Sequence, residues 1–294
     1  MVNRLLLLAP CFVIAMALSP VGEASALMAG RAPDSAEQRI DPNRLDSPWA
    51  GVGSVKVLAG VFSGVLVDRR FVLTAAHVVD GAEPSGIHFV LNLDEGGGLY
   101  LPVRRVHVHP SYRGFTLPFA YFDLALLELQ EPAPELAPVY PMAFAPLKPG
   151  TVLRFVGHGG SGSGDSGPGT RPSVSTRRIG GNQADRFVPL PGKSGGQAMF
   201  LFDFDADGVP NRMGAQRLPN DVETAPSLGD SGAPAFVDDG WRRTLVGLIT
   251  FVADPDQSGV PRGVFGSIGG GVLLGPSRDW ILRTIGAAAA GDAR

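Results

Sequence analysis

Gly229-Asp230-Ser231-Gly232-Ala233-Pro234, with Ala235-Phe236-Val237 behind it, sets a serine in a tight turn that leads into an apolar strand. Small residues on both sides let the backbone fold sharply and let another group approach closely. A near-copy, Gly164-Asp165-Ser166-Gly167-Pro168-Gly169, occurs earlier in the chain. That copy has no apolar strand after it. It also sits in a Gly/Ser run, residues 157–169, which reads as a flexible loop and cannot hold one oxygen in place. Ser231 is therefore the serine on a rigid support.

Working outward, short apolar runs separated by turn residues fill most of the chain. Val52 to Leu58 partly alternates, and Val61–Val67 and Phe71–Leu73 flank Asp68-Arg69-Arg70 as a hairpin would. Ile87–Leu93, Val103–Val108 and Leu124–Leu129 continue the pattern, and strands are expected again at 152–156, 197–204, 233–237, 244–252 and 263–268. Valine and isoleucine content favours strands over buried helix pieces of the same length. Residues 131–149 carry six prolines and read as a connection between two halves. A single helix is expected at 277–285, where Trp280, Ile281, Leu282 and Ile285 make an apolar stripe behind a capping Ser277. Residues 286–294 read as a flexible tail.

Forty glycines and 26 prolines in 294 residues fall just short of low-complexity composition, and with 44 % apolar residues they indicate many turns between strands. The formal net charge of −3 gives no sign of a nucleic-acid or membrane-surface partner. Met1-Val2-Asn3-Arg4, an apolar run from Leu5 to Leu18 and Ala24-Ser25-Ala26 form a secretory signal peptide, with cleavage expected after Ala26. A spanning helix needs about 20 apolar residues, and Pro10 interrupts this run. Export to the periplasm or medium is expected. Cys11 is the only cysteine, so the mature chain would have no disulfide and no thiol chemistry. Residues 27–47 are polar and aperiodic and read as an exposed leader or propeptide-like segment.

A serine hydroxyl needs a neighbouring base, and the base needs a group that holds its ring. His77, in Leu73-Thr74-Ala75-Ala76-His77-Val78-Val79, follows an apolar strand amid small residues. His107 and His109 alternate about Val108 and are expected to face solvent, His88 opens a strand and His158 lies in the glycine run. Asp123 enters the apolar strand Leu124-Ala125-Leu126-Leu127, either as an edge turn residue or as a charge with a specific partner.

Thr74-Ala75-Ala76-His77, Asp123-Leu124-Ala125-Leu126 and the Ser231 turn, in that order, resemble the chymotrypsin-like (trypsin-like) serine proteases, of the disulfide-free secreted bacterial type. Ser63-Gly64-Val65-Leu66-Val67, Val246-Gly247-Leu248-Ile249-Thr250-Phe251, Gly263-Val264-Phe265 and Asp279-Trp280-Ile281 extend the likeness over about residues 48–285. The resemblance implies an all-β fold of two packed antiparallel six-stranded barrels, about 48–130 and 150–275, with a C-terminal helix. It implies His77 as general base, Asp123 as its orienter and Ser231 as nucleophile, with the N–H groups of Gly229 and Ser231 as the oxyanion hole. Ser166 would follow Asp123 too soon for most of a second barrel to precede it.

By the same resemblance Thr250 would hydrogen-bond Asp123, and Ala225, Val252 and Gly263 would shape the substrate pocket. Ala225 stands where a trypsin-type pocket has an aspartate, so small or medium apolar side chains are the expected preference before the scissile bond. Family members are activated when a new amino terminus pairs with the aspartate before the nucleophile, here Asp230. Arg39-Ile40 offers such a bond, although Asp41-Pro42-Asn43 follows where Val-Gly-Gly is usual. Asp203, Asp205 and Asp207 space carboxylates either as a structural calcium loop or as a polar hairpin tip in water. The position for the usual bidentate glutamate is Gly214, with Glu223 available only by folding back. The expected activity is that of a monomeric endopeptidase acting on protein or peptide with no required cofactor. The alternatives are a catalytically silent binding protein of the same fold or an esterase using the same three residues.

Overall fold

The computed structural model describes residues 27–94, 96–114, 119–193, 195–214, 216–254 and 262–292. Residues 1–26, where a signal peptide is expected, lie outside them. A two-residue strand β1 (Ile40–Asp41) precedes six strands: β2 (Val52–Val57), β3 (Gly60–Asp68), β4 (Phe71–Thr74), β5 (His88–Leu91), β6 (Leu99–Val108) and β7 (Ala125–Leu129). These six close into an antiparallel barrel in the order β2-β3-β4-β7-β6-β5. Between β4 and β5 runs a one-turn helix, α1 (Ala76–Val79). Alternation along the strands drives Val55, Leu66, Val72, Phe89 and Leu127 into the barrel interior.

The second half carries β8 (Thr151–Gly157), β9 (Gly162–Ser163), β10 (Gly167–Pro168), β11 (Arg177–Ala184), β12 (Arg186–Val188), β13 (Met199–Asp203), β14 (Pro234–Asp238), β15 (Arg243–Ala253) and β16 (Ile268–Leu273). Six of these strands, β11-β8-β14-β15-β16-β13, curl round as the expected second barrel, and its last seam is made by isolated bonds: Asn182 Nδ2 donates to Asp203 O at 2.7 Å and the Asp185 N–H to Leu201 O at 2.9 Å. Eight strands form one sheet in the order β1-β11-β8-β14-β15-β16-β13-β12, with β9 and β10 as a separate ladder. At the start of β11 the short β1 is added to the ladder, Ile40 opposite Arg178. At the other edge β12 has only three residues. Trp49, Leu73 and Leu126 of the first half pack with Val156, Phe236 and Leu248 of the second, so the halves share a continuous apolar seam.

Several expectations need correction. Residues 27–47 are not an exposed leader. Leu27, Met28 and Ala29 are fully buried, and Asp34, Arg39 and Asp41 are buried with them. Their polar look came from ion pairs that close inward: Arg39 with Asp34 at 2.5 Å and Asp41 with Arg177 at 2.5 Å. The strand expected at 263–268 begins only at Ile268. Its three consecutive glycines hid it, yet each is required by a neighbour. A Cβ on Gly271 would lie 1.8 Å from the Leu248 carbonyl oxygen, and one on Gly269 would meet the Phe202 ring at 2.5 Å. Strand β11 was masked in the same way by Gly180, Gly181 and Asn182. The last helix, α2 (Arg278–Asp292), runs past the expected end at 285, since Ala287 to Ala290 are the best helix formers available. Ser277 ends the 3₁₀ turn Gly275–Ser277 that leads into α2. Among the described residues no helix is long and apolar enough to cross a membrane.

Candidate active site

Strand β4 ends at Thr74, and α1 starts two residues later, so His77 projects from the first turn after a fully buried strand. Asp123 sits just before β7, the hydrogen-bonded neighbour of β4, and Thr74 pairs with Ala125. Adjacent strand ends therefore bring the two residues together. The His77 backbone N–H donates to Asp123 Oδ1 at 2.9 Å, and the ring Nδ1 lies 2.6 Å from Oδ2. Asp123 is fully buried. A carboxylate only accepts, so Nδ1 carries the proton and Nε2 presents its lone pair. Nε2 lies 2.8 Å from Ser231 Oγ.

The turn before Asp123 is strained. Phe122 has φ of 57°, a left-handed conformation unfavourable for a bulky side chain. Its ring is held by stacking on His109, 4.6 Å between centroids, and His109 in turn meets Trp280 of α2 at 4.7 Å. His109 was expected to face solvent; instead it is buried, its Nδ1 accepts from the Ser111 N–H at 3.1 Å, and burial pushes its pKa down to about 4. His107 lies 3.1 Å from Glu128. His158 is buried and held neutral by that burial.

Ser231 reaches the first barrel because its turn is pinned there. Gly232, with φ of 83°, lies so close that a Cβ would stand 2.3 Å from Ser63 O and 2.4 Å from Thr74 Oγ1. Ser63 is the fastener that sequence reasoning missed. Its N–H donates to Ser231 O at 3.0 Å, its hydroxyl donates to Gly229 O at 3.0 Å, and it accepts from the His158 N–H at 2.9 Å. Only its strand was singled out by pattern. The signal was a small polar residue, fully buried, opening a run of apolar ones.

Gly229 has φ of 93°, and a Cβ there would meet Gly159 Cα and Pro172 Cγ, each at 2.8 Å. Among the described residues neither the Gly229 N–H nor the Ser231 N–H has an acceptor. Two free donors beside a serine oxygen can stabilise a developing oxyanion.

The remaining expected site residues fall as follows. Thr250 occupies a bulge between β15 and β16, buried, and its hydroxyl has no partner, so the expected bond to Asp123 is not made. The bulge turns that side chain away from the regular pleat. Ala225 is buried against Met28 and Phe204, with Phe265 packed alongside. Gly263 faces the same methionine, its virtual Cβ 3.2 Å from Met28 Cγ. Val252 is half-buried on β15. Among the described residues the Ser166 hydroxyl bonds only to Ser163 Oγ, at 2.7 Å, in an exposed ladder.

Asp203, Asp205 and Asp207 do not converge as a calcium loop would. Asp203 Oδ2 accepts from the backbone of Arg212 and Met213, Asp205 from Asn211, and the exposed Asp207 pairs with Arg217. No group of three or more acidic or histidine side chains among the described residues is arranged to hold a metal. The donor set therefore does not fit a calcium ion. Burial instead pushes Glu223 up to about 8, and burial together with Asp203 pushes Asp185 up to about 7 and Asp205 to about 6.

Asp230 is fully buried, with its carboxylate against Gly157, where a Cβ would lie 2.1 Å from Oδ1. Burial pushes its pKa up to about 8, while hydrogen bonds from the backbone of Ser227 and Gly159, the charge of Arg178 and the Leu27 N–H pull the other way. Ile40, the expected latch, lies elsewhere: it pairs with Arg178 in the sheet, and its N–H donates to Glu37 O at 3.2 Å.

A family model described as Trypsin matches residues 41–268. The chain is 40 % identical over 107 residues to the serine protease Hayan of Drosophila melanogaster, covering 33 % of this chain and 16 % of that protein. It is 37 % identical over 93 residues to vitamin K-dependent protein C of Mus musculus, covering 30 % and 19 %. It thus spans less than a fifth of either relative. Among solved structures, mouse neuropsin, a serine protease expressed in the limbic system of the brain, superposes with TM-score 0.58 at 20 % identity over 84 % of this chain and 97 % of its own. The secreted serine protease VesC of Vibrio cholerae superposes with TM-score 0.54, also at 20 % identity, over 81 % and 46 %. These structural likenesses bear on the fold. The family match spans most of the chain, and with the ordered His77, Asp123 and Ser231 it establishes that this chain belongs to the trypsin family.

Proposed function

We propose that the protein is an exported serine endopeptidase, acting as a monomer on protein or peptide substrates. The observation that carries this is the unbroken chain Asp123–His77–Ser231, with contacts of 2.6 and 2.8 Å. Ser231 Oγ attacks the substrate carbonyl as His77 Nε2 takes its proton. Asp123 holds the imidazolium in place in a low-dielectric setting. The N–H groups of Gly229 and Ser231 receive the negative oxygen. His77 then returns the proton to the leaving amine, and water releases the acyl group by the same route. Every proton moves between substrate, water and these side chains, so the cycle requires no cofactor.

Substrate preference follows from what lines the pocket floor. Ala225 and Met28 offer no carboxylate to a lysine or arginine, which supports a preference for small or medium apolar side chains before the scissile bond. The free donors at Gly229 and Ser231 argue against a silent binding protein. Labelling by a fluorophosphonate probe, followed by cleavage of a peptide library, tests the reading. Labelling that disappears in Ser231→Ala, with cleavage after apolar residues, is expected. An unlabelled folded protein would exclude the enzyme, and dominant cleavage after Arg or Lys would exclude the pocket assignment.

A further inference from the structure

We propose that His109 and Phe122 are positioning residues for Asp123: their stacked rings hold the strained turn from which its carboxylate reaches His77. This rests on the protease reading above and adds two residues to the machinery that reading requires.

The first observation is what holds Asp123. It is fully buried, and among the described residues its two donors are the backbone N–H and the ring Nδ1 of His77, at 2.9 and 2.6 Å. Both belong to the residue that Asp123 must orient. The Thr250 hydroxyl, buried without a partner, supplies no third bond. A carboxylate bonded only to the residue it directs gains no independent reference from its hydrogen bonds. Its direction is set by its own backbone.

The second observation is that this backbone is strained. The Leu124 N–H donates to Phe122 O at 2.7 Å, which closes a three-residue turn with Asp123 at its centre. Phe122 enters the turn with φ of 57°, the one non-glycine residue of positive φ among the described residues. A bulky side chain is disfavoured there because its Cβ crowds the backbone. Such a conformation persists only where its surroundings impose it. Relaxed to an ordinary φ, the turn would swing the Asp123 carboxylate away from His77.

The third observation is that His109 grips the turn on both sides of Asp123. It stands just past the last pair of β6 and β7, Val108 with Ala125. Its backbone N–H donates to Leu124 O at 2.9 Å, which holds the residue after Asp123. Its ring lies flat on Phe122, with 4.6 Å between centroids and 13° between planes, which holds the residue before. The histidine is itself fixed. Its Nδ1 accepts from the Ser111 N–H at 3.1 Å and its carbonyl from the Tyr112 N–H at 2.9 Å, while the Trp280 ring closes its other side at 4.7 Å. With Nδ1 accepting, the ring is neutral and can lie buried without a charge to solvate.

Substitutions at position 122 separate this role from plain packing. Leucine keeps an apolar bulk but neither stacks nor suits φ of 57°, whereas asparagine is polar and smaller yet enters the left-handed region readily. Phe122 is only half-buried, so asparagine is tolerated there. Packing alone would make leucine the milder change; the clamp makes it the harsher one. At position 109 phenylalanine keeps a ring for stacking and leucine does not.

The test makes Phe122→Leu, Phe122→Asn, His109→Leu and His109→Phe in the full chain, with thermal unfolding as the folding control. One readout is kcat and KM on a peptide p-nitroanilide with valine before the scissile bond. The other is the His77 Nδ1 proton, which a short bond to a carboxylate moves far downfield in the NMR spectrum. Both leucine variants are expected to lose kcat on the order of 10- to 100-fold with KM within about twofold, and to broaden or lose the downfield proton. Phe122→Asn and His109→Phe should keep the proton and stay within about threefold of wild-type kcat. If one leucine variant does not fold, the other decides by the same readings. A folded leucine variant with wild-type kcat and proton overturns the clamp, and so does a Phe122→Asn protein less active than Phe122→Leu or below about a tenth of wild type. A wild-type protein that shows the downfield proton but neither turns over nor labels with a fluorophosphonate counts against the protease reading. The order of the four variants by that proton alone then decides the clamp.

Discussion

The first barrel closes its backbone ladder on itself and fills with Leu66, Phe89 and Leu127, whereas the second joins β11 to β13 only by isolated bonds and buries Arg177, Arg39 and Asp230 beside its phenylalanines. A closed barrel has no edge to protect and needs no help from elsewhere in the chain. It can therefore present His77 and Asp123 from adjacent strand ends as a finished pair. The second half, with its less complete ladder, draws on the segment before it. Asp34 and Arg39 clamp the 220–223 loop, Asp41 neutralises Arg177, and β1 covers the edge of β11. The difference assigns the preassembled part of the site to one half and the conditional part, Ser231 and the pocket, to the other.

The largest expected effect tests the preassembled half. Asp123→Asn keeps the size of the side chain but puts an NH₂ group where His77 Nδ1–H must find an acceptor, which favours the wrong tautomer. We expect kcat to fall on the order of 10⁴-fold, with KM and the unfolding midpoint little changed. Steady-state kinetics beside a thermal melt check it. A fall of less than about tenfold would mean that the first barrel does not hold the pair as its geometry implies.

Next comes the conditional half. Asp41→Ala leaves the Arg177 guanidinium, which is fully buried, with only the carbonyls of Val52 and Pro42. Stranding one member of a buried pair costs about 3–5 kcal/mol. Urea unfolding should show that loss. Hydrogen exchange should place it in residues 177–184, with 52–68 spared. Equal loss of protection in both stretches would mean that the two halves unfold as one unit and that the contrast drawn between them is wrong.

How much of this was legible in the sequence divides along the same line. The strands of the first barrel and the His77, Asp123 and Ser231 positions could be read because apolar runs and motif order are local patterns. The second half hid β11 and β16 behind glycines whose reason is a neighbour's ring or carbonyl, far away in sequence. The 27–41 segment looked like solvated chain because an inward ion pair and an exposed charge are written with the same letters. Ser63 looked like any strand serine. Thr250 shows the converse: its position in the motif suggested a bond to Asp123, and a one-residue bulge removed it.

The smallest effect uses pH, and there the two halves should respond with opposite sign. In the second half Glu223 and Asp185 are pushed up to about 8 and about 7, chiefly by burial, from values near 4 in an unfolded chain. Between about pH 4 and 8 the folded half therefore holds more protons than the unfolded chain, and its stability falls as pH rises through that window. In the first barrel His109 is pushed down to about 4 by burial against an unfolded value near 6.5. Over about pH 6.5 to 4 the folded barrel holds fewer protons, so its contribution is complete above that range and is lost as pH falls. Hydrogen exchange at pH 5 and pH 8, corrected for intrinsic rates, should show peptides from 199–223 losing protection at the higher pH and peptides from 105–125 gaining it. Glu223→Gln should flatten the first response and leave the second intact, because the carboxyl it removes accepts from the Asp205 and Leu218 N–H groups and lies near Asp185, all in the second half. Movement of both halves in one direction would mean that a shared group, rather than each half's own buried acids or histidine, sets the pH dependence.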